Sequence, residues 1–479
     1  MRASLVKVAI AASAALVLAS CAMPADDPNY NANAGLGGDS SAAASAAAED
    51  QAALDSAIAA PTSIGVDAPL AGPVPADISI VSLTDGSEYE GVFETALAEA
   101  GGVLNWVVET VPVDMADPAS IQAAFDAAVA KKAGGIHITG AMADSLLDNL
   151  TAAEAAGVPV ICTGCSSGTA AVAADATAAA TEAATGEATA AATEAAATEA
   201  AATEAVDVAG ATPAGITDAS IDGTAQNVEW GNVLSTYVVA NQYAGEDAGV
   251  QVFVMPGGAL NDFNSAFDTN LLDLCRNCSS TQSVVDPTMV DLTDPAAIGT
   301  FVDGEMAVSL GAWALLDTGS LSNGVADTLA ADPTLLAPVT LIGRGAAASD
   351  IAALQALGGA APGATAAATS AAATSAAATA AATEAAATDG ATAAAAEAGR
   401  TPEQAAALQA WIAIPQPVMA WRVIDQFARI IGGEPLATGP LPSQLLTGAN
   451  AADAVLDANG NYIGVADYQD QFKALWGVK

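Results

Sequence analysis

The chain has 479 residues, 53% of them hydrophobic, and sets 54 acidic side chains against 11 basic ones for a formal charge of −43. So acidic a surface repels phosphate backbones and anionic headgroups, which argues against nucleic-acid binding. The length allows two lobes of ordinary domain size, although alanine-rich tracts inflate the hydrophobic share.

The N-terminus, MRASLVKVAIAASAALVLASC, places Arg2 and Lys7 ahead of a short apolar run and small residues. This is the layout of a secretory signal, too short for a comfortable membrane span. The run closes as Leu18-Ala19-Ser20-Cys21, which resembles the lipobox of bacterial lipoproteins. That resemblance implies a signal peptide over residues 1–20 and lipidation of Cys21; a cleaved signal with a chance cysteine is the alternative. Residues 21–75 are largely small and polar and are expected to form a flexible tether. No later segment is long and apolar enough to span a bilayer, so the body is expected outside the membrane, exported and anchored by its lipid.

From Asp77 onward strands and helices alternate. ISIVSL reads as a buried strand, EYEGVFETALAEAGG as a helix and NWVVETVPV as a second strand. DPASIQAAFDAAVAKKAGG opens a helix with Asp117 as cap and Pro118 in the first turn. GIHITG, the helix ADSLLDNLTAAEAAG and the strand VPVICTG follow. Beyond residue 212, DASIDGTAQ reads as a strand and EWGNVLSTYVVANQYAGEDAG as a helix. VQVFVMPG, TQSVVDPTMVDL, AVSLGAW, PVTLIGRG and AWIAIPQ are further strands, separated by helical segments. PVMAWRVIDQFARIIGGEP is a helix before the tail. Strand–helix alternation with short links predicts parallel crossovers and an α/β fold of doubly wound sheets.

Two low-complexity insertions, 166–212 and 360–400, interrupt this pattern. The first contains ATEAAATEAAATEA from Ala192 to Ala205. A five-residue period advances by about 140° beyond a full turn, so no side-chain type gathers into a stripe. Such tracts cannot bury an apolar face and read as spacers, helical or disordered.

The order of elements resembles the type I periplasmic solute-binding proteins, the ribose-binding type among them. SIQAAFDAAVAKKAGGIHITG, DGTAQNVEWG, WIAIPQPVMAW and YQDQFKALWG carry the likeness. It implies two lobes joined by three crossovers, with a small polar solute, sugar or sugar-like, bound between them and delivered to an ABC permease. The expected first lobe comprises 76–226 with 417–440, and the second 227–416 with 441–479. A sensory receptor serving a membrane signalling partner is the alternative, and an extracytoplasmic enzyme a weaker one. A transcription factor of the same fold would need a basic helix-turn-helix where the lipobox-like segment stands.

In open parallel sheets ligands bind beyond the carboxyl ends of the strands. Candidates there are Asp85, Tyr89, Asp114, Thr139, Thr163, Asn261, Trp313 and Arg344, with Asn227 and Gln416 at the implied crossovers. Aromatic faces stack on sugar-like rings, while amides and carboxylates hydrogen-bond hydroxyls. Tyr89 has helix packing as its alternative, and Asp85 and Asp114 have helix capping. The ribose type carries an Asp-Arg pair after its fourth strand, where Gly164-Cys165 stands here. Its eighth-strand aspartate is expected to be replaced near Trp313. With Arg344 at a strand end, these departures open the site to an anionic, aromatic or nucleoside-like solute.

Two CxxC pairs, Cys162/Cys165 and Cys275/Cys278, raise the prospect of a four-cysteine zinc site. The first pair falls at a strand's cleft end and the second ends a helix in the other lobe, so no metal is expected. Local disulfides are favoured for the second pair, and a disulfide, redox or metal role stays open for the first. His137 is the only histidine and lies within a predicted strand. One such imidazole makes a hydrolytic triad hard to build, and no phosphate-cradling loop occurs, so neither catalysis nor a cofactor is expected.

Overall fold

The computed structural model describes residues 51–165, 215–242, 249–255, 260–275, 278–359 and 401–478, apart from 288, 293, 310, 323, 333, 334, 336 and 337. The signal segment, Cys21, the tether up to residue 50 and both insertions lie outside them.

The first sheet holds β1 (Ser79–Thr84), β2 (Val107–Pro112), β3 (Gly135–Thr139) and β4 (Val160–Thr163) in the order β2-β1-β3-β4, all parallel. Its helices are α1 (Glu88–Val103), α2 (Pro118–Ala130) and α3 (Leu147–Ala156). Ser87 caps α1 by accepting from Glu90 N, and Asp117 caps α2 by accepting from Ala119 N. Each satisfies a backbone donor that the helix itself cannot. Ile80, Leu97, Ile136 and Phe125 are fully buried or nearly so, as the near-continuous apolar runs require of a sheet covered on both faces.

The second sheet holds β5 (Gly249–Val254), β6 (Ser279–Val284), β7 (Trp313–Leu316), β8 (Thr340–Arg344), β9 (Ala410–Ala413) and β10 (Gln444–Thr447). Their order is β10-β9-β8-β7-β5-β6, with only β10 antiparallel. Around it lie α4 (Thr224–Ala240), α5 (Asn261–Leu274), α6 (Pro295–Val308), α7 (Val325–Ala331), α8 (Ala348–Gly359) and α9 (Pro402–Ala407). At Gly231 of α4 an added Cβ would stand 2.4 Å from Phe263 O and 2.9 Å from Phe267 N of α5. Glycine therefore sets the spacing of this helix pair, over the fully buried Phe263 and Phe267. Each such ring contributes about 1.5–3 kcal/mol by leaving water.

The long helix α10 (Gln416–Gly432) follows β9 and packs on α1 of the first lobe, so the chain recrosses here. The final helix, α11 (Tyr468–Trp476), packs on α10: the Trp421 and Trp476 rings stack 5.3 Å apart, and Trp476 Nε1 donates to Asp425 Oδ1 at 2.9 Å. Two doubly wound lobes thus stand as expected, with corrections at their margins. The closing helix sits with the first lobe, not the second, because its aromatic face is complementary to α10.

Residues 51–75 are not a tether. Helical residues 51–58 bury Leu54 and lead into an irregular strap that buries Ile64 and Val66. Arg422 Nη2 of α10 donates to Ile64 O at 2.7 Å, and Arg429 Nη2 to Ala68 O at 2.6 Å. The expected strand over 218–226 shrinks to one bridge, Ile161 with Asp218, because α4 already begins at Thr224. The strand expected at AVSLGAW is also displaced: α6 continues through Val308, and β7 begins only at Trp313.

Candidate functional site

β7 and β8 end at Leu316 and Arg344, and Arg344 lies against the loop where the chain crosses between lobes. Arg344 pairs through Nη2 with Asp222 Oδ2, in the loop just before α4. Both side chains are under a tenth exposed. Asn227, wholly buried in the first turns of α4, donates Nδ2 to Asp222 O at 2.9 Å and so fixes the loop that carries the carboxylate. Asp222 also reaches the end of β4: Gly164, at φ 70°, donates its N–H to Ile221 O at 3.2 Å, and a Cβ on Gly164 would lie 3.9 Å from Asp222 Oδ2.

Asp317 directly follows β7 and is 1% exposed. Its Oδ2 accepts from Met255 N, past the end of β5, and from Asn264 Nδ2 of α5, each at 3.3 Å. Burial pushes its pKa up to about 7, against the opposing pull of those two donors and the Arg344 charge. Asp317 Oδ1, Asn264 Oδ1 and Asp222 Oδ1 are buried with no hydrogen-bond partner among the described residues. Asp317 and Asn264 line a cavity of about 190 Å³ together with Val254, Met255, Leu260, Asn261, Gln282 and Val284. Buried oxygens without partners are costly, and Asp317 and Asn264 bring two of them to residues that line this cavity.

The first lobe carries a polar chain across the middle of its strands, reaching a strand end only at Thr163. Thr110 Oγ1 donates to Glu94 Oε2 at 2.9 Å, and Ser82 Oγ to Glu94 Oε1 at 2.7 Å. Ser82 Oγ lies 2.8 Å from His137 Nδ1, and His137 Nε2 lies 3.1 Å from Thr163 Oγ1. With the Ser82 proton on Glu94, Nδ1–H donates to Ser82 and Nε2 accepts from Thr163. Burial lowers the His137 pKa to about 3 and raises that of Glu94. Nearby, Thr84 Oγ1 and Asp85 N both donate to Glu90 Oε2, and burial with the Asp85 charge raises the Glu90 pKa to about 8.

The sequence candidates divide accordingly. Trp313 is corrected: it opens β7 at the amino end, is 1% exposed and belongs to the core, so it cannot stack on a solute in the cleft. With β7 displaced, the strand end carries Asp317, and an aspartate stands where its replacement was expected. Asp85 is exposed, its Oδ1 accepting from Ser87 N; Asp114 is exposed, its Oδ1 accepting from Ala116 N. Tyr89 stands in the first turn of α1, its side chain outside the described residues. Thr139 is half-buried at the end of β3, Asn261 is exposed at the start of α5, and Gln416 is buried at the start of α10. Asp222, Asn264 and Asp317 escaped sequence reasoning, although Asp222 lies within the quoted DGTAQNVEWG.

Cys162 of β4 is joined to Cys165 in the turn that follows, and Cys275 to Cys278 beyond α5. No three His, Cys, Asp or Glu side chains among the described residues are grouped to hold a metal ion. No helix among them is long and apolar enough to cross a membrane.

This architecture is the type I periplasmic binding fold. The chain is similar to an ABC transporter solute-binding protein from Agrobacterium vitis bound with α-D-tagatopyranose, at a TM-score of 0.50 and 13% identity over 81% of this chain and 99% of that one. An ABC sugar transporter subunit from Rhodobacter sphaeroides gives a TM-score of 0.49 at 12% identity over 78% and 98% of the two chains. A myo-inositol-bound solute-binding protein from Bacillus halodurans gives 0.49 at 10% identity over 80% and 98%. No family model and no curated protein matches the sequence.

Proposed function

We propose that this chain is an extracytoplasmic solute-binding protein that holds a small polar solute between its lobes and passes it to an ABC importer. The carrying observation is the convergence of Asp222, Arg344, Asn264 and Asp317 at the strand ends beside the crossover, with three buried oxygens lacking partners among the described residues. The Agrobacterium vitis protein of the same fold binds a sugar and is named for an ABC transporter, which supports this class of ligand and partner. Binding is favoured over catalysis because the single histidine is buried with both ring nitrogens engaged, out of reach as a general base.

The basic start, the short apolar run and Leu18-Ala19-Ser20-Cys21 support export and a lipid anchor at Cys21. Labelled fatty acid should enter the wild type and be absent from Cys21→Ala. Equal release of both proteins into the medium would remove the anchor from this reading.

A thermal-shift screen of sugars, polyols, nucleosides, amino acids and small acids tests solute binding, because a ligand of the native state raises the melting temperature. At least one polar solute is expected to raise it, and Asp317→Ala should weaken that shift. A screen without a single shift would count against the function.

A further inference from the structure

The cavity at the carboxyl ends of β5 and β7 is lined by one acid, Asp317, and by no basic side chain. Asn264 Nδ2 and Met255 N both donate to Asp317 Oδ2, and Gln282 Nε2 donates to Asp268 Oδ2 at 2.9 Å. A carboxylate can only accept, so the bond to Asp317 also settles which end of the Asn264 amide faces it. Asp317 and Asn264 both line the cavity, and Asp317 Oδ1 and Asn264 Oδ1 are buried and without partners among the described residues. Asp317 is 1% and Asn264 5% exposed, so bulk water does not readily repay these atoms.

Charge narrows the choice of donor. Arg344, the cation at these strand ends, is matched by Asp222, and the pair is close to neutral as a unit. Asp317 adds a further acid, faced by Arg344 from β8, Asn264 from α5 and Met255 N from β5, with Asp222 beyond the guanidinium. A neutral hydroxyl would fill one hydrogen bond and add no counter-charge to the Asp317 carboxylate. An ammonium group supplies both the donors and the counter-charge. The molecule's strongly negative field also raises the local concentration of cations over anions.

We infer that the solute held here carries a cationic amine, which donates to Asp317 Oδ1 and Asn264 Oδ1 while its remainder packs on Val254, Met255 and Leu260. This deepens the solute-binding reading and rests on it. The cavity's 190 Å³ has room for roughly six water-sized groups, which suits a small amine or the amine-bearing edge of an amino sugar.

Matched probes isolate the amine. Glucosamine against glucose, and 2-amino-1,3-propanediol against glycerol, exchange one ammonium for one hydroxyl on a fixed skeleton. Calorimetric titration of the full chain near pH 7 should find at least one amine bound about tenfold more tightly than its hydroxyl counterpart. Asp317→Asn, which removes the charge but keeps the shape, should bring that ratio within about twofold. If that variant lacks a cooperative melt, Asn264→Ser takes its place and should lower the ratio by removing the second acceptor.

Equal or tighter binding of the hydroxyl partners would overturn the inference, and so would binding of neither amine. A preference that survives Asp317→Asn would overturn the assignment to Asp317. In each case a hit elsewhere in the thermal-shift screen leaves the solute-binding reading standing, whereas a screen without hits brings down both.

Discussion

The Arg344 guanidinium is matched inside the protein by the Asp222 carboxylate, 122 residues earlier in the chain. The pair ties the end of β8 to the loop leading into α4, so it braces one crossover and sets the charge of the site. Removing one partner leaves the other buried and uncompensated, which costs about 3–5 kcal/mol. Arg344→Ala and Asp222→Ala should each lower the unfolding free energy read from urea denaturation by that much, and Arg344→Met with Asp222→Leu should regain most of it. Single variants as stable as the wild type would show that the pair carries no such weight.

The strap over residues 59–75 closes two donors of the crossover helix, Arg422 on Ile64 O and Arg429 on Ala68 O. A chain beginning at residue 76 loses both acceptors and uncovers the apolar surface around Ile64 and Val66. It should melt at a clearly lower temperature than one beginning at residue 51, because charged donors left buried without acceptors are costly. Identical melting curves would return these residues to the role of a tether.

His137 gives a pH signature. Its folded pKa of about 3 lies below the ordinary 6.5, so between these values only the unfolded chain takes up the proton. Its contribution to stability is full above pH 6.5 and declines as the pH falls toward 3. Glu90, raised from 4.5 to about 8, works in the opposite sense, costing stability as the pH rises through that window. The difference in stability between wild type and His137→Gln isolates the first effect and should shrink steadily on acidification below pH 6.5. A difference independent of pH would mean the imidazole titrates normally.

Gly231→Ala should push α4 and α5 apart, since its Cβ would meet backbone atoms that cannot move singly. Overpacking of this kind costs about 1–3 kcal/mol, readable as a drop in the denaturation midpoint. Gly304→Ala is the control: nothing lies within 4 Å of its added Cβ, and α6 gains helix propensity there.

The alternation of strands and helices was legible because most inner strands of the parallel sheets are short apolar runs closed by a turn, as in Ser79–Thr84 and Thr340–Arg344. The register of β7 was not, because Ala307 and Val308 extend an apolar run that belongs to the end of α6. A helical stretch and a buried strand look alike over so few residues, and that four-residue displacement put Trp313 in place of Asp317. The strap was missed because Leu54, Ile64 and Val66 are thinly spread among alanine, proline and glycine. The ion pair of Asp222 with Arg344 leaves no local trace, since it exists only once the two lobes are assembled.

Arg344, Arg422 and Arg429 are all buried, and this governs how the folded protein meets a protease that cuts after basic residues. Among the described residues the exposed targets are Lys131 and Lys132, in the turn that follows α2, with Lys473 half-exposed. Trypsin should therefore nick the native chain at the Lys131–Lys132 turn, while a fragment ending at Arg422 or Arg429 can arise only after the crossover helix has come loose. The time at which such fragments appear is a clock for the unravelling of the crossover helix, read on a gel without any ligand or label.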